Sequence, residues 1–166
     1  REPLQQWITQ WNPYQVDGGD GDAVEIMGYL EAKLFRSDAK GVYQPVPEYL
    51  VSAEVTSTSP QVVTYRLNPK AAWSDGKPIG YQDFNAVWQA SNGKDPAYNL
   101  ADSSGYEQIS AVEQGASPGE VKVTFAQPYA DWQSLFNPLL PAAGISTPKE
   151  FNEGWIEKGP VYGRPF

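Results

Sequence analysis

Apolar and polar residues alternate through two neighbouring runs in the middle of the chain, Val51 to Thr58 and Gln61 to Leu67. Alternation places every second side chain on one face of an extended strand, and both runs are rich in β-branched residues. Ser59-Pro60 supplies the break between them, so the pair predicts a hairpin. The period then changes. From Tyr81 the apolar residues fall at Tyr81, Phe84, Val87 and Trp88, one face of a helix. Asp83 stands in its first turn, where a carboxylate meets the positive end of the helix dipole. Just upstream, Trp73-Ser74-Asp75-Gly76 reads as a tight turn, because glycine reaches positive φ freely and aspartate folds back on its own backbone. Pro78 fixes φ on the way out.

The flanks follow the same rules. Leu4 to Thr9 predicts a short edge strand, ended by Trp11-Asn12-Pro13-Tyr14. Val16 to Asp22 (VDGGDGD) has no hydrophobic period and reads as a loop. Asp22 and Glu25 have capping-box spacing, and Ile26, Leu30 and Leu34 behind them predict a helix face. Ser91 to Gly105 is a polar loop. Tyr106 to Glu113 and Glu120 to Phe125 predict two more strands, Ala130 to Phe136 a short amphipathic helix, and Pro148 to Trp155 another. Strands and helices without regular βαβ alternation define an α+β fold.

Composition narrows the function. A chain of 166 residues with 40% apolar residues, six Trp and ten Tyr supports a globular core. The net charge of −8 speaks against nucleic acid and against an anionic membrane surface. No run approaches the roughly 18 apolar residues of a membrane span, and no basic-then-apolar leader pattern is present. Cys and His are both absent. That removes thiol chemistry, the commonest general base and the commonest metal ligand. No serine sits in a nucleophile motif, and nothing fixes a carboxylate pair as a glycosidase needs. The chain reads as a non-enzyme with no cofactor. The acidic loop invites a calcium reading, since Asp20, Asp22 and Glu31 occupy EF-hand positions one, three and twelve. Val24 and Glu25 stand at positions five and six and break the pattern, so no metal site is expected.

The order of residues around the turn is more specific than their types. WSDGxPxxxxDFxxxWQ after YRLNPKA resembles the signature region of the family 5 solute-binding proteins of ABC importers, carried by Tyr65, Leu67, Trp73, Ser74, Asp75, Gly76, Pro78, Gln82, Asp83, Phe84 and Trp88. Gly80 departs from the Thr or Ser that usually caps this helix, a change costing only a few tenths of a kcal/mol. Val42 to Tyr49 approximates a family strand without its usual Leu-Ala. The resemblance implies the N-terminal part of a class II periplasmic-binding-protein-like fold, a mixed sheet with packed helices. It implies residues 1–19 as first strand and cleft loop, 20–140 as a small α/β subdomain of lobe one, and 141–166 as a truncated return segment. It also implies a peptide or similar solute as ligand, an ABC permease as partner, and an extracytoplasmic, lipid-anchored location.

Asn12-Pro13 matches a family landmark at the ligand cleft, which makes Trp11, Tyr14, Asp17, Gly18, Gly19 and Asp20 the candidate ligand-binding residues. Gly18 and Gly19 would let a ligand approach the backbone closely, and Asp17 or Asp20 would pair with an α-amino group. An alternative reading is a divergent cell-envelope lipoprotein of the same fold, regulatory or scaffolding rather than transporting.

Overall fold

In the computed structural model, residues 7–156 are described. The elements run α1 (Gly21–Gly28), β1 (Phe35–Ser37), β2 (Tyr43–Pro45), β3 (Leu50–Thr58), β4 (Gln61–Leu67), α2 (Tyr81–Ser91), β5 (Ile109–Gln114), β6 (Glu120–Phe125) and α3 (Pro148–Glu153), with single helical turns between some of them. The predicted hairpin is β3 and β4. It extends into a four-stranded sheet of order β3-β4-β6-β5, beside a two-stranded pair of β1 and β2. The register aligns Val55 with Val63, Val63 with Val123, and Val123 with Val112, so one face is a continuous apolar surface. The other face is polar: Arg66 meets Glu54 at 3.0 Å and Glu120 at 3.6 Å. Exposed pairs of this kind add at most about 1 kcal/mol each; their role is to keep that face wet.

Helix α2 lies on the apolar face and buries Phe84, Ala86, Val87 and Ala90. An aromatic cluster fills the space beneath it. Phe136 sits 4.9 Å from Phe84, 5.4 Å from Tyr106 and 6.1 Å from Tyr65, measured between ring centres. The signature turn closes as predicted. Gly76 has φ +86, its N–H donates to the Trp73 carbonyl at 2.8 Å, and Asp75 accepts from the Lys77 N–H at 3.1 Å. Asp83 then does two jobs. One carboxylate oxygen accepts the Gly80 N–H at 2.9 Å, half of a capping box that glycine cannot complete. The other accepts the Ala142 N–H at 2.8 Å, tying α2 to the segment that leads into α3.

Several expectations need correction. The N-cap of α1 is Asp20, whose carboxylate accepts from the Asp22 and Ala23 N–H groups, so the Asp22–Glu25 capping box is not the one used. The helix also ends at Gly28. Leu34 is buried from an extended segment in which Ala32 bridges to Leu139, so its spacing from Ile26 and Leu30 reflects no helix turn. Ala130 to Phe136 forms only one helical turn, Trp132–Ser134. Pro138 disfavours helical φ/ψ in the residue before it and cannot donate to a continuing helix. Tyr106–Gln108 is a helical turn rather than the start of β5. Within Val42 to Tyr49 only Tyr43–Pro45 pairs as strand. Leu4 to Gln6 lie outside the described residues, and Trp7 to Thr9 are not strand. Both sheets are antiparallel among the described residues, not mixed, because every strand is joined to its neighbour by a hairpin or a returning crossover.

Candidate functional site

The segment carrying the predicted site is held from both sides by polar side chains. Asn12 is fully buried; its amide donates to the Phe151 carbonyl at 2.9 Å and its side-chain oxygen accepts the Tyr14 N–H at 3.0 Å. Gln10 donates to the Asn152 carbonyl at 2.9 Å and accepts the Asn12 N–H at 3.0 Å. These bonds fix the segment to α3. On its other side Gln15 bridges Leu100, with Val16 N–H to Asn99 carbonyl and Ala101 N–H to Tyr14 carbonyl, both at 2.9 Å. Asn12-Pro13 therefore works as an anchor, because buried amides that spend both donor and acceptor specify one backbone path.

Two tight turns, Gln15 N–H to Asn12 carbonyl at 3.1 Å and Gly18 N–H to Gln15 carbonyl at 2.9 Å, send successive side chains of this stretch in different directions. Asp17 and Asp20 line an open recess of about 540 Å³ together with Trp7, Gln10, Gln15 and Ile156. Neither carboxylate has a cation partner among the described residues, whose ion pairs all lie elsewhere. One oxygen of Asp20 is spent on the α1 cap. Trp7, 80% exposed, stands at the recess and was not singled out by the sequence; an isolated Trp in an irregular stretch carries no periodic signal.

The remaining candidates go to other places. Trp11 is half-buried against the core and does not line that recess; its N–H donates to the Trp155 carbonyl at 3.2 Å. Gly18 is buried, and a Cβ there would fall 1.8 Å from the Asn12 carbonyl oxygen, so its missing side chain is explained by the turn on Asn12. Gly19 is exposed with open space around it. Tyr14 points to the opposite side. Its hydroxyl donates to the Pro138 carbonyl at 2.6 Å and lies 3.0 Å from the Tyr106 hydroxyl. The Tyr106 oxygen in turn accepts the Phe136 N–H at 2.8 Å, so its own proton goes to Tyr14. Burial, then the neighbouring Tyr106, pushes the Tyr14 phenol well above its ordinary range and keeps it neutral.

A larger groove of about 780 Å³ runs past the signature turn, lined by Leu67, Asn68, Ala71, Ile79 and Gly80. Its charged members, Arg66 and Glu120, satisfy each other. The recess beside Asp17 and Asp20, by contrast, carries carboxylates with no cation partner among the described residues. Among the described residues no group of His, Asp or Glu is arranged to hold a metal ion, and no helix is long and apolar enough to cross a membrane.

The described residues thus form an α+β unit with open recesses on its surface. The chain belongs to the bacterial extracellular solute-binding proteins, family 5, whose middle-region model matches residues 44–166. It is 37% identical over 170 residues to the oligopeptide-binding protein OppA of Mycobacterium tuberculosis, covering 100% of this chain and 29% of OppA. It is 38% identical over 121 residues to the probable monoacyl phosphatidylinositol tetramannoside-binding protein LpqW of the same organism, covering 72% of this chain and 19% of LpqW. Among solved structures, the periplasmic EDTA-binding protein EppA superposes with a TM-score of 0.90 at 30% identity, covering 98% of this chain and 32% of EppA. The chain thus spans less than a third of each of these relatives.

Proposed function

We propose that the protein captures a solute, a peptide in the first instance, outside the cytoplasmic membrane and delivers it to an ABC permease, without catalysing a reaction. The observation that carries this reading is the pair of carboxylates, Asp17 and Asp20, without a cation partner among the described residues, on a segment anchored through Asn12 in a chain of this family. The amino terminus of a peptide is a compact cation, and a carboxylate in a half-enclosed recess is its natural partner. The 37% identity to an oligopeptide-binding protein supports the peptide class. Trp7 offers a flat apolar surface beside the charge. In the proposed arrangement the segment up to residue 19 contributes one wall of the site, residues 20–140 form a subdomain, and a lipid anchor holds the natural protein at the cell surface.

Calorimetry of the natural protein with a panel of short peptides tests this. Asp17→Asn with Asp20→Asn is expected to weaken binding of a free-amino peptide about tenfold or more. The N-acetylated peptide should already bind weakly and should lose little more. Equal loss for both peptides, or no loss for either, contradicts the role of the carboxylates.

A further inference from the structure

On the far side of the anchored segment lies a second recess, of about 280 Å³, walled by Tyr14, Tyr106, Tyr129, Asp102, Ser104 and Asn137. Its walls are rigid. Tyr129 is clamped by buried Gln61, which accepts its N–H at 2.7 Å and donates to its carbonyl at 3.0 Å, and its ring stacks on Phe125. A Cβ on Gly105 would fall 2.7 Å from that ring, and Gly105 has φ +82, so glycine is required where the loop passes under it. Ala101, next to Asp102, is bonded to the Tyr14 carbonyl.

What the recess offers a ligand is mainly acceptor. Apart from the Tyr129 hydroxyl, its hydroxyl donors are spent inside the protein. Ser104 donates to Asp102 at 2.7 Å, Ser134 to the Asp131 carbonyl at 2.7 Å, Asn137 to the Phe35 carbonyl at 3.2 Å and Tyr14 to the Pro138 carbonyl. No Lys or Arg lines it, and Asp102 has no cation partner among the described residues. The Ser104 hydroxyl and N–H hold the Asp102 carboxyl below its usual range, so it is charged at neutral pH. A carboxylate among tyrosine rings repels anions and attracts cations, and delocalised cations also gain from the aromatic faces.

We propose that this recess receives a cationic group of the solute, the guanidinium or ammonium end of a basic side chain. The proposal rests on the peptide reading for its biological ligand but not for its chemistry. Methylguanidinium and its neutral isostere N-methylurea separate the two. Titrated into the natural protein and followed by amide NMR, methylguanidinium should give saturable shifts at Ser104 and Gly105, and N-methylurea should not. Asp102→Asn, at an exposed loop position, should weaken the methylguanidinium response at least about fivefold. Equal responses to both probes, no saturable response, or an undiminished response in Asp102→Asn overturns the proposal. The tripeptides Ala-Arg-Ala and Ala-citrulline-Ala then bear on the ligand. Preference for arginine that Asp102→Asn abolishes supports the assignment, and binding without preference overturns it. If neither tripeptide binds while methylguanidinium still saturates the recess, the peptide reading falls and the cation site stands.

Discussion

Replacing Phe136 by alanine is expected to remove about 3–5 kcal/mol of stability, the largest loss of any single change considered. Phe136 is fully buried and its ring touches Phe84, Tyr65 and Tyr106, which belong to α2, β4 and the turn before β5. Removing it leaves a void bounded by three other aromatic rings, each fixed by its own element and unable to collapse inward. The backbone makes the site more revealing still. Phe136 has φ 55, a left-handed conformation that costs a side-chain-bearing residue roughly 1–2 kcal/mol. Its N–H also supports the Tyr106 hydroxyl. Alanine keeps the backbone strain, whereas glycine releases it. Urea unfolding should therefore show Phe136→Gly no less stable than Phe136→Ala, reversing the usual order. A glycine variant clearly worse than alanine would contradict the strained backbone.

Asp83→Ala should cost about 2–4 kcal/mol, because the Gly80 and Ala142 N–H groups lose their acceptor together. The loss is smaller than the sum of two hydrogen bonds to a charged group, since the variant no longer buries a carboxylate. Burial raises the Asp83 carboxyl above its ordinary range despite the N–H groups of Ala142 and Gly80. The Trp73 indole N–H acts in the same lowering direction from outside ordinary hydrogen-bond geometry. The sign follows. A carboxyl whose folded pKa is raised contributes stability that is fully present below the unfolded value of about 3.9 and is lost as pH rises through the folded one. Asp83→Asn cannot titrate. Its stability deficit relative to wild type should accordingly be largest near pH 3.5 and shrink toward about pH 7. A deficit that grows with pH over that window would mean that hydrogen bonding to the ionised form outweighs burial.

Asp83 also shows what was legible in the sequence. The helix, its acidic first turn and the Trp-Ser-Asp-Gly turn follow from local chemistry, and all three are present. The link from Asp83 to Ala142 spans 59 residues and leaves no periodic trace. The same division holds elsewhere. Hairpin β3–β4 and strand β6 follow from the alternation in their sequences, and in β6 it matches the burial, with Val121, Val123 and Phe125 inward and Lys122 outward. The false continuation of α1 through Leu30 and Leu34 arose because apolar residues in an extended, buried segment can fall at helical spacing by chance. Asp17 and Asp20 became candidates through the resemblance at Asn12-Pro13, and the fold places both at one recess. Tyr14 belonged to a different wall, and its hydroxyl is engaged in a relay whose partners lie 92 and 124 residues away. Asp102 and Tyr129 sit in a polar loop and after a strand end, where only the fold brings them to one recess.

Peptide capture by the natural protein is open to a single decisive test, native mass spectrometry of the protein as purified, with fragmentation of whatever it retains. The expected result is retained peptide, or peptide taken up from a library and displaced by competing free-amino peptides. A retained mannosylated lipid of the kind named for LpqW, or an empty protein that takes up no peptide from the library, would contradict it.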